Sequence, residues 1–421
     1  MPQTQTQGTG RVQMALKGDN MAKIKISNRR FILRLLQEQG PLSRKMIASS
    51  LGLTPSAITL IVGDMIKEGI IREGVTISKN GNVGRKEVLV EINSGAFCAL
   101  GIAINLDNVI ISATDLDGNI IFEEKISIQE TVPVYEIVRK TTDILKQKIK
   151  EYHLSRLKIV GLGIIVRGII DKDKNESLYS FGGLQEKNVP LREMFEKATG
   201  FPTFLENNVR GLMQAEMFLS HARGLSSQLF IRCEYGIGAA LSIDHKMWNG
   251  SHGRCAELGH TQVVTQKGKL CRCGKTGCLE TVASPTAIKE DVLEIYGPEE
   301  TPILFEISDG NKNAVTVDDI LEAARQGDYK VAEIVDRAVD YLSIAIKTVL
   351  CTVDPDKVIF YGKMFENDYY LNKMKRGLDD WLLGSEGVIV EKSRYNLELE
   401  SKEAAIVAID QFYDGGGIMK E

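Results

Sequence analysis

From Phe97 onward the same order of elements is read twice, and this repetition limits the fold more than any other feature. Strand-like runs at Phe97–Ile104, Asn108–Thr114 and Ile120–Ile128 come first, the last two joined by the hairpin signal Asp117-Gly118. An amphipathic helix from Pro133 to about Tyr152 follows, with Ile137, Val138, Ile144, Leu145 and Ile149 on one side. A strand at Lys158–Val166, a helix near Leu191–Thr199, a short strand at Thr203–Leu205 and a helix to about His221 close the first round. The second round runs from a hairpin (Gln228–Tyr235, Ile237–Ile243) and a third strand near Thr261–Val264 to a long helix at Val331–Val353. A strand at Lys357–Tyr361, a helix near Tyr370–Leu383, a strand at Val388–Glu391 and a helix at Lys402–Phe412 complete it. Such a duplicated α/β order builds two lobes with a cleft between them, the usual seat of a small ligand.

The segment ahead of this body reads differently. Between Ser27 and Gln39, Phe31, Ile32, Leu35 and Leu36 recur at the spacing of one buried helical face, and Gly40-Pro41 stops the helix. Ser43 caps a second, short helix through Leu51, with Met46 and Ile47 turned inward. After the Gly52-Leu53 turn, Thr54 caps a third helix with Pro55 at its first position, where the missing N–H costs nothing. Ile58, Ile61, Val62, Met65 and Ile66 form its buried stripe. Two runs, Ile70–Ile77 and Glu87–Ile92, flank a basic, Gly-rich hairpin tip at 79–86. Any three-helix domain shows such a stripe. The turn, the Thr-Pro cap and the basic wing together point to a winged helix-turn-helix on double-stranded operator DNA. Ser56 and Thr59 would face base edges, while Arg44, Lys45, Arg85 and Lys86 would meet phosphates.

Charge is divided accordingly. Residues 1–92 hold fourteen Lys and Arg against seven Asp and Glu, a net +7, and the remainder is −11, which together give −4. A basic head on an acidic body suits contact with a polyanion through the head alone, although a basic tail accounts for part of the excess. The chain of 421 residues implies roughly two or three domains. No apolar stretch approaches the ~20 residues of a membrane helix, and residues 1–20, rich in Gln, Thr and Gly, lack the apolar core of a secretory signal and read as a disordered tail. Met21 is a candidate natural start. The expected boundaries are a flexible tail at 1–25, the head at 26–92, a first lobe at 96–222, a second lobe at 223–400 and a C-terminal helix and tail at 401–421.

Seven cysteines, an odd number with only Cys271, Cys273 and Cys278 clustered, do not form a disulfide framework, and a reducing cytoplasm is the expected compartment. The cluster lies eleven residues after His260, and three thiolates with one imidazole suit tetrahedral Zn²⁺. A redox dithiol and unligated thiols are the alternatives. With four protein ligands and no open position, such a zinc would be structural.

The run Glu257-Leu-Gly-His260, followed by Cys271-Arg-Cys-Gly-Lys-Thr-Gly-Cys278-Leu-Glu280, closely resembles the signature of the ROK family of repressors, open reading frames and sugar kinases. With the winged head, the resemblance covers about residues 25–415 and extends to the repressor branch, typified by xylose and N-acetylglucosamine repressors. It implies an α/β fold: an N-terminal winged helix-turn-helix followed by a two-lobed, actin-like (ribonuclease H-like) domain. It also implies a sugar site at Asn207, Asn208, Glu257, His260 and Glu280, and zinc held by His260, Cys271, Cys273 and Cys278, with the imidazole shared between the two.

Kinases of this family carry an Asp-x-Gly-Gly-Thr phosphate loop, where this chain has Gly101-Ile-Ala-Ile-Asn105-Leu106-Asp107-Asn108. Their catalytic Asp is replaced by Asn208, whose amide cannot take the proton of an attacking hydroxyl, a service typically worth 10²–10⁴-fold. A second phosphate loop survives in part as Tyr235-Gly-Ile-Gly238, and the Gly-Gly that approaches adenosine is replaced by Tyr361-Gly362-Lys363. Arg167 replaces a residue near the sugar that is more often proline; it would meet a phosphorylated or acidic sugar, or serve as a loop cation or ion-pair partner. The expectation is a non-enzymatic, homo-oligomeric transcriptional regulator responding to a sugar or sugar phosphate. Its rival is an ATP-dependent sugar kinase with an accessory DNA-binding head.

Overall fold

The computed structural model describes residues 21–77, 87–129, 132–172, 174–179, 184, 186–220, 226–379, 388–395 and 398–419. The head comprises α1 (Met21–Gln39), β1 (Leu42–Ser43), α2 (Arg44–Leu51), α3 (Pro55–Lys67), β2 (Ile71–Ile77) and β3 (Glu87–Ile92). Both expected caps form: the Ser43 hydroxyl accepts from the Met46 amide at 3.3 Å, and Thr54 accepts from Ala57 at 3.3 Å. Gly52 closes α2 at φ 64°, and the chain turns by 118° into α3. Helix α1 starts at Met21, inside the segment read as a tail. The periodicity misplaced two side chains. Phe31 and Met46 are exposed, while Leu33 and Ala48 take the interior positions. The wing tip, with Arg85 and Lys86, lies outside the described residues.

The first lobe contains β4 (Phe97–Ile104), β5 (Asn108–Thr114), β6 (Ile120–Ser127), α4 (Val134–Glu151), β7 (Lys158–Val166), β8 (Ile169–Asp171), β9 (Glu176–Tyr179), α5 (Leu191–Thr199), β10 (Thr203–Asn207) and α6 (Asn208–Ser220). The second contains β11 (Gln228–Cys233), β12 (Ile237–Ile243), β13 (Lys246–Met247), α7 (Glu280–Ala283), α8 (Pro285–Glu294), α9 (Pro302–Ile307), α10 (Val317–Gln326), α11 (Tyr329–Val353), β14 (Lys357–Tyr361), α12 (Asp368–Asp379) and β15 (Ile389–Lys392), with α13 (Glu403–Asp414) ending the chain. The two five-stranded sheets have orders β10-β7-β4-β5-β6 and β13-β12-β11-β14-β15. In both, the first strand of the round pairs antiparallel with the second and parallel with the fourth, so the duplication holds at the level of sheet topology.

The third strand of the second lobe is not Thr261–Val264 but the two-residue β13. Segment 261–264 bonds the cysteine loop instead: Val263 and Val264 donate to the Gly277 carbonyl, and Leu279 donates to Thr261. Helix α13 leaves the second lobe and lies on β4 and β7 of the first. Its approach requires Gly163, where a Cβ would collide with the Ala404 carbonyl.

The end of the chain is no appendage. Gly416 and Gly417 turn at φ near 70°, with Gly416 accepting from Arg29 Nε at 2.7 Å and Gly417 meeting Leu33 and Ile70. Arg34 pairs with Asp410 at 2.6 Å and Asp414 at 3.0 Å. One apolar core runs from Ile32 and Leu36 of α1 to Phe412 and Tyr413 of α13, so the head shares its interior with the body.

Candidate functional site

A cavity of about 250 Å³ opens between the lobes, and Asn207, Asn208, Glu257, His260 and Glu280 all line it. They arrive from separate elements: the Asn pair at the β10–α6 junction, Glu257 just before and His260 at the end of a short 3₁₀ turn, and Glu280 at the start of α7. Burial raises the Glu257 carboxyl above its ordinary range, opposed by His260 and Arg210 and assisted by Glu280. Glu280 accepts from the Ile237 amide at 3.2 Å, its carboxylate close against Gly236.

Asn207 is committed within the protein. Its amide nitrogen donates to the Gly168 carbonyl at 2.6 Å, and its oxygen accepts from Val209 at 2.9 Å and Arg210 at 3.3 Å, capping α6. It thus orients the junction on which Asn208 stands. Beneath it lies a charge network that sequence reasoning did not anticipate. Glu206, 1% exposed, accepts from Arg210 at 2.8 Å and pairs with Lys172. Although burial opposes ionisation, Lys172 and Arg210 hold this carboxyl below its usual range. Arg210 also donates to the Gly253 carbonyl at 3.1 Å, which ties the first lobe to the loop preceding Glu257.

His260, Cys271, Cys273 and Cys278 form one cluster, their donor atoms all within 4.8 Å of one another, and it can hold a metal ion. His260 Nδ1 lies 3.6 Å from Cys271 Sγ, and Cys273 Sγ lies 3.6 Å from Cys278 Sγ. Gly277 permits the fold of this loop: it sits at φ 74°, and a Cβ there would strike the Val264 carbonyl. His260 belongs to both the cluster and the cavity wall, so an ion in the cluster would fix a side chain of the pocket.

Of the three stretches compared above with nucleotide-binding loops, two are closed on themselves, while Tyr235–Gly238 lines the cavity. Asn105 donates to Asn108 at 3.1 Å and Asn108 to Asp107 at 2.6 Å, which folds the first turn on itself. Gly362 lies against the Cys233 carbonyl, the Lys363 amide donates to Glu234 at 2.7 Å, and Tyr361 is fully buried.

In the head, Ser56, Thr59 and Lys45 are exposed. Thr59 donates its hydroxyl to Pro55 at 2.7 Å, Ser56 shares a 3.2 Å bond with Thr54, and Arg44 pairs with Glu73 at 2.8 Å. Leu60, 73% exposed beside Thr59, adds an apolar tip that the helical pattern did not single out. A methyl-bearing side chain there suits a thymine methyl group.

The ROK family model matches residues 99–405, and a winged helix-turn-helix DNA-binding model matches 27–72. The chain is similar to the xylose repressor of Caldicellulosiruptor bescii, 26% identical over 92% of this chain and 95% of the relative. It is also 26% identical to the DNA-binding transcriptional dual regulator NagC of Escherichia coli over 84% of each chain. Among solved structures, a ROK family transcriptional regulator described as a homologue of the E. coli MLC protein superposes with a TM-score of 0.77 at 25% identity, covering 93% of this chain and 97% of that one. A ROK family glucokinase from Streptomyces griseus shares the fold of the body, with a TM-score of 0.60 at 22% identity, covering 75% of this chain and 98% of that one.

Proposed function

The chain belongs to the ROK family, and we propose that it is a transcriptional repressor whose hold on operator DNA is set by a carbohydrate in the interlobe cleft. The observation that carries this reading is the contrast within one cleft. Asn208, Glu257, His260 and Glu280 converge on a cavity, while the turns at Asn105–Asn108 and Gly362–Lys363 are held by hydrogen bonds within the protein. Asn208 stands where a phosphotransferase needs a base, and an amide cannot serve as one. Carboxylates and an imidazole accept from and donate to vicinal hydroxyls, which suits a sugar. Similarity over most of the chain to a xylose repressor and a DNA-binding transcriptional dual regulator supports the same reading.

We assign zinc to the His260–Cys271–Cys273–Cys278 cluster in a structural role, since three thiolates and an imidazole complete a tetrahedron. The head would dock α3 in the major groove, with Ser56, Thr59 and Leu60 toward bases and Arg44 and Lys45 toward phosphates. A homodimer or higher homo-oligomer in the cytoplasm would place two heads on a pseudo-palindromic site. The ligand must bind two arrangements of the lobes with different affinity to shift this equilibrium.

DNA selected from a random pool by the full chain, then titrated with a sugar panel, tests the proposal. A sugar at 100 times its Kd stabilises the protein by about 2.7 kcal/mol and changes operator affinity; a panel that moves neither the melting curve nor DNA binding refutes the sensor. Glu257→Ala is expected to abolish the sugar response while operator affinity in its absence stays at the wild-type level, as read by fluorescence anisotropy. Arg85→Ala is expected to weaken DNA binding alike for all sequences and to reduce the slope of log K against log salt by about one. An unchanged slope would place Arg85 away from the backbone.

A further inference from the structure

Three arginines converge on one wall of the cleft. Arg167 follows β7, Arg232 is the penultimate residue of β11, and Arg272 lies between Cys271 and Cys273; all three line the cavity that Glu257, His260 and Glu280 also line. Arg232 is an anomaly in its strand, a cation inside the apolar run Leu229-Phe230-Ile231, with a side chain only 10% exposed. Its Nη2 reaches Glu400 at 3.3 Å, but its Nε is buried with no protein partner. Arg167 stacks over Tyr235, 5.7 Å from the ring centroid. Among the described residues, neither Arg167 nor Arg272 has a carboxylate within ion-pair distance.

Like charges gathered in a partly dry cleft repel. Burial, then the fields of Arg232 and Arg272, pull the Arg167 guanidinium down to about 10. Of the nearby carboxyls, Glu400 pairs with Arg232 and its field favours the charged Arg167, while burial drives Glu403 well above the carboxylate range and raises Glu234. Three guanidinium forks, one carboxylate partner and an unpartnered buried N–H gathered in one cleft suit an anion.

We propose that the effector is a sugar phosphate monoester, its ring hydroxyls on Asn208, Glu257, His260 and Glu280 and its phosphate on Arg167, Arg232 and Arg272. The inference rests on the sensor reading above and narrows its ligand class. Phosphate fits better than a sugar carboxylate, since the monoester carries nearly two charges and three acceptor oxygens against one charge and two.

Common hexoses and pentoses, each as free sugar and as terminal phosphate monoester, are titrated into the full-length protein by calorimetry, with inorganic phosphate and uronic acids as further arms. The phosphate ester of the cognate sugar is expected to bind about 100-fold more tightly than the sugar itself, the worth of one or two charge-assisted hydrogen bonds. That ratio falls about tenfold in Arg167→Gln and in the exposed Arg272→Gln, and Arg167→Lys recovers part of it. A ratio near one in the wild type, a ratio unmoved in both Gln variants, preference for a uronic acid, or equal binding of inorganic phosphate each overturns the proposal. Free sugars that bind without a phosphate preference sink this inference and leave the sensor standing; failure of every sugar and every ester removes both.

Discussion

Cys273→Ser is expected to strip the protein of zinc and, with it, the response to ligand. The three sulfurs and the His260 nitrogen lie within 4.8 Å of one another, so a metal there would tie His260 to the loop that carries the thiols. Thr261 accepts from Leu279, Val263 and Val264 donate to Gly277, and the Gln262 side chain donates to Thr276, but these bonds do not fix the thiols and the imidazole themselves. Structural zinc in small modules contributes roughly 10–16 kcal/mol of apparent binding energy, and a hydroxyl is a poor replacement for one of three thiolates. Loss of the ion would release Glu257 and His260 on one side of the loop and Glu280 on the other. The second lobe should melt earlier, by at least the ~2–5 kcal/mol typical of a severe core truncation. Elemental analysis, a melting curve and a ligand titration read the three consequences separately. Zinc content equal to that of the wild type would remove Cys273 from the ligand set.

Arg29→Met is expected to loosen the head from the body. Arg29 is 1% exposed, grips Glu68 through two bonds of 2.8 and 2.5 Å, and donates its Nε to the Gly416 carbonyl at 2.7 Å. Methionine keeps the stem's packing and strands the acceptors. Removing one partner of a buried pair costs about 3–5 kcal/mol, but the Glu68 side chain is 45% exposed, so solvent screening reduces the expected loss to about 2–3 kcal/mol. Operator affinity should fall and amide exchange in α1 and the Gly415–Gly417 turn should quicken, while ligand binding in the cleft is retained. A variant that melts and exchanges like the wild type would show that the shared apolar core alone holds the head. The pH dependence has a definite sign. Arg29 holds the Glu68 carboxyl below its usual value, so this pair contributes stability above about pH 4.5 and loses it as pH falls through the depressed value.

What was legible follows from range. The caps at Ser43 and Thr54 involve residues three apart, and both appear as read. The alternating and helical patterns located the strands and helices that recur in the two rounds, because each is written in consecutive residues, but not the short β8, β9, β13 and α7. Helices α8 to α10, between Pro285 and Gln326, went unread, since they interrupt the repeated order and have no counterpart in the first lobe. Thr261–Val264 was misread because a short run of this kind pairs equally well with a sheet edge or a loop, and Gly277 to Leu279 of the cysteine loop take it. Asn207 was read as facing a ligand and lines the cavity; its amide also serves Gly168 and the start of α6, a bond to a carbonyl 39 positions earlier that the sequence did not reveal.

The sequence by itself determined the winged head, the duplicated α/β body and the His–Cys cluster, because helical periodicity, strand alternation and ligand spacing are properties of neighbouring residues. Only the tertiary structure decided how the parts meet. It brought Arg167, Arg232 and Arg272 from three elements to one wall, set His260 between the thiols and the cleft, and returned the last helix to the head. These contacts join residues tens to hundreds of positions apart. Their geometry comes from close packing of whole elements, which no local pattern encodes.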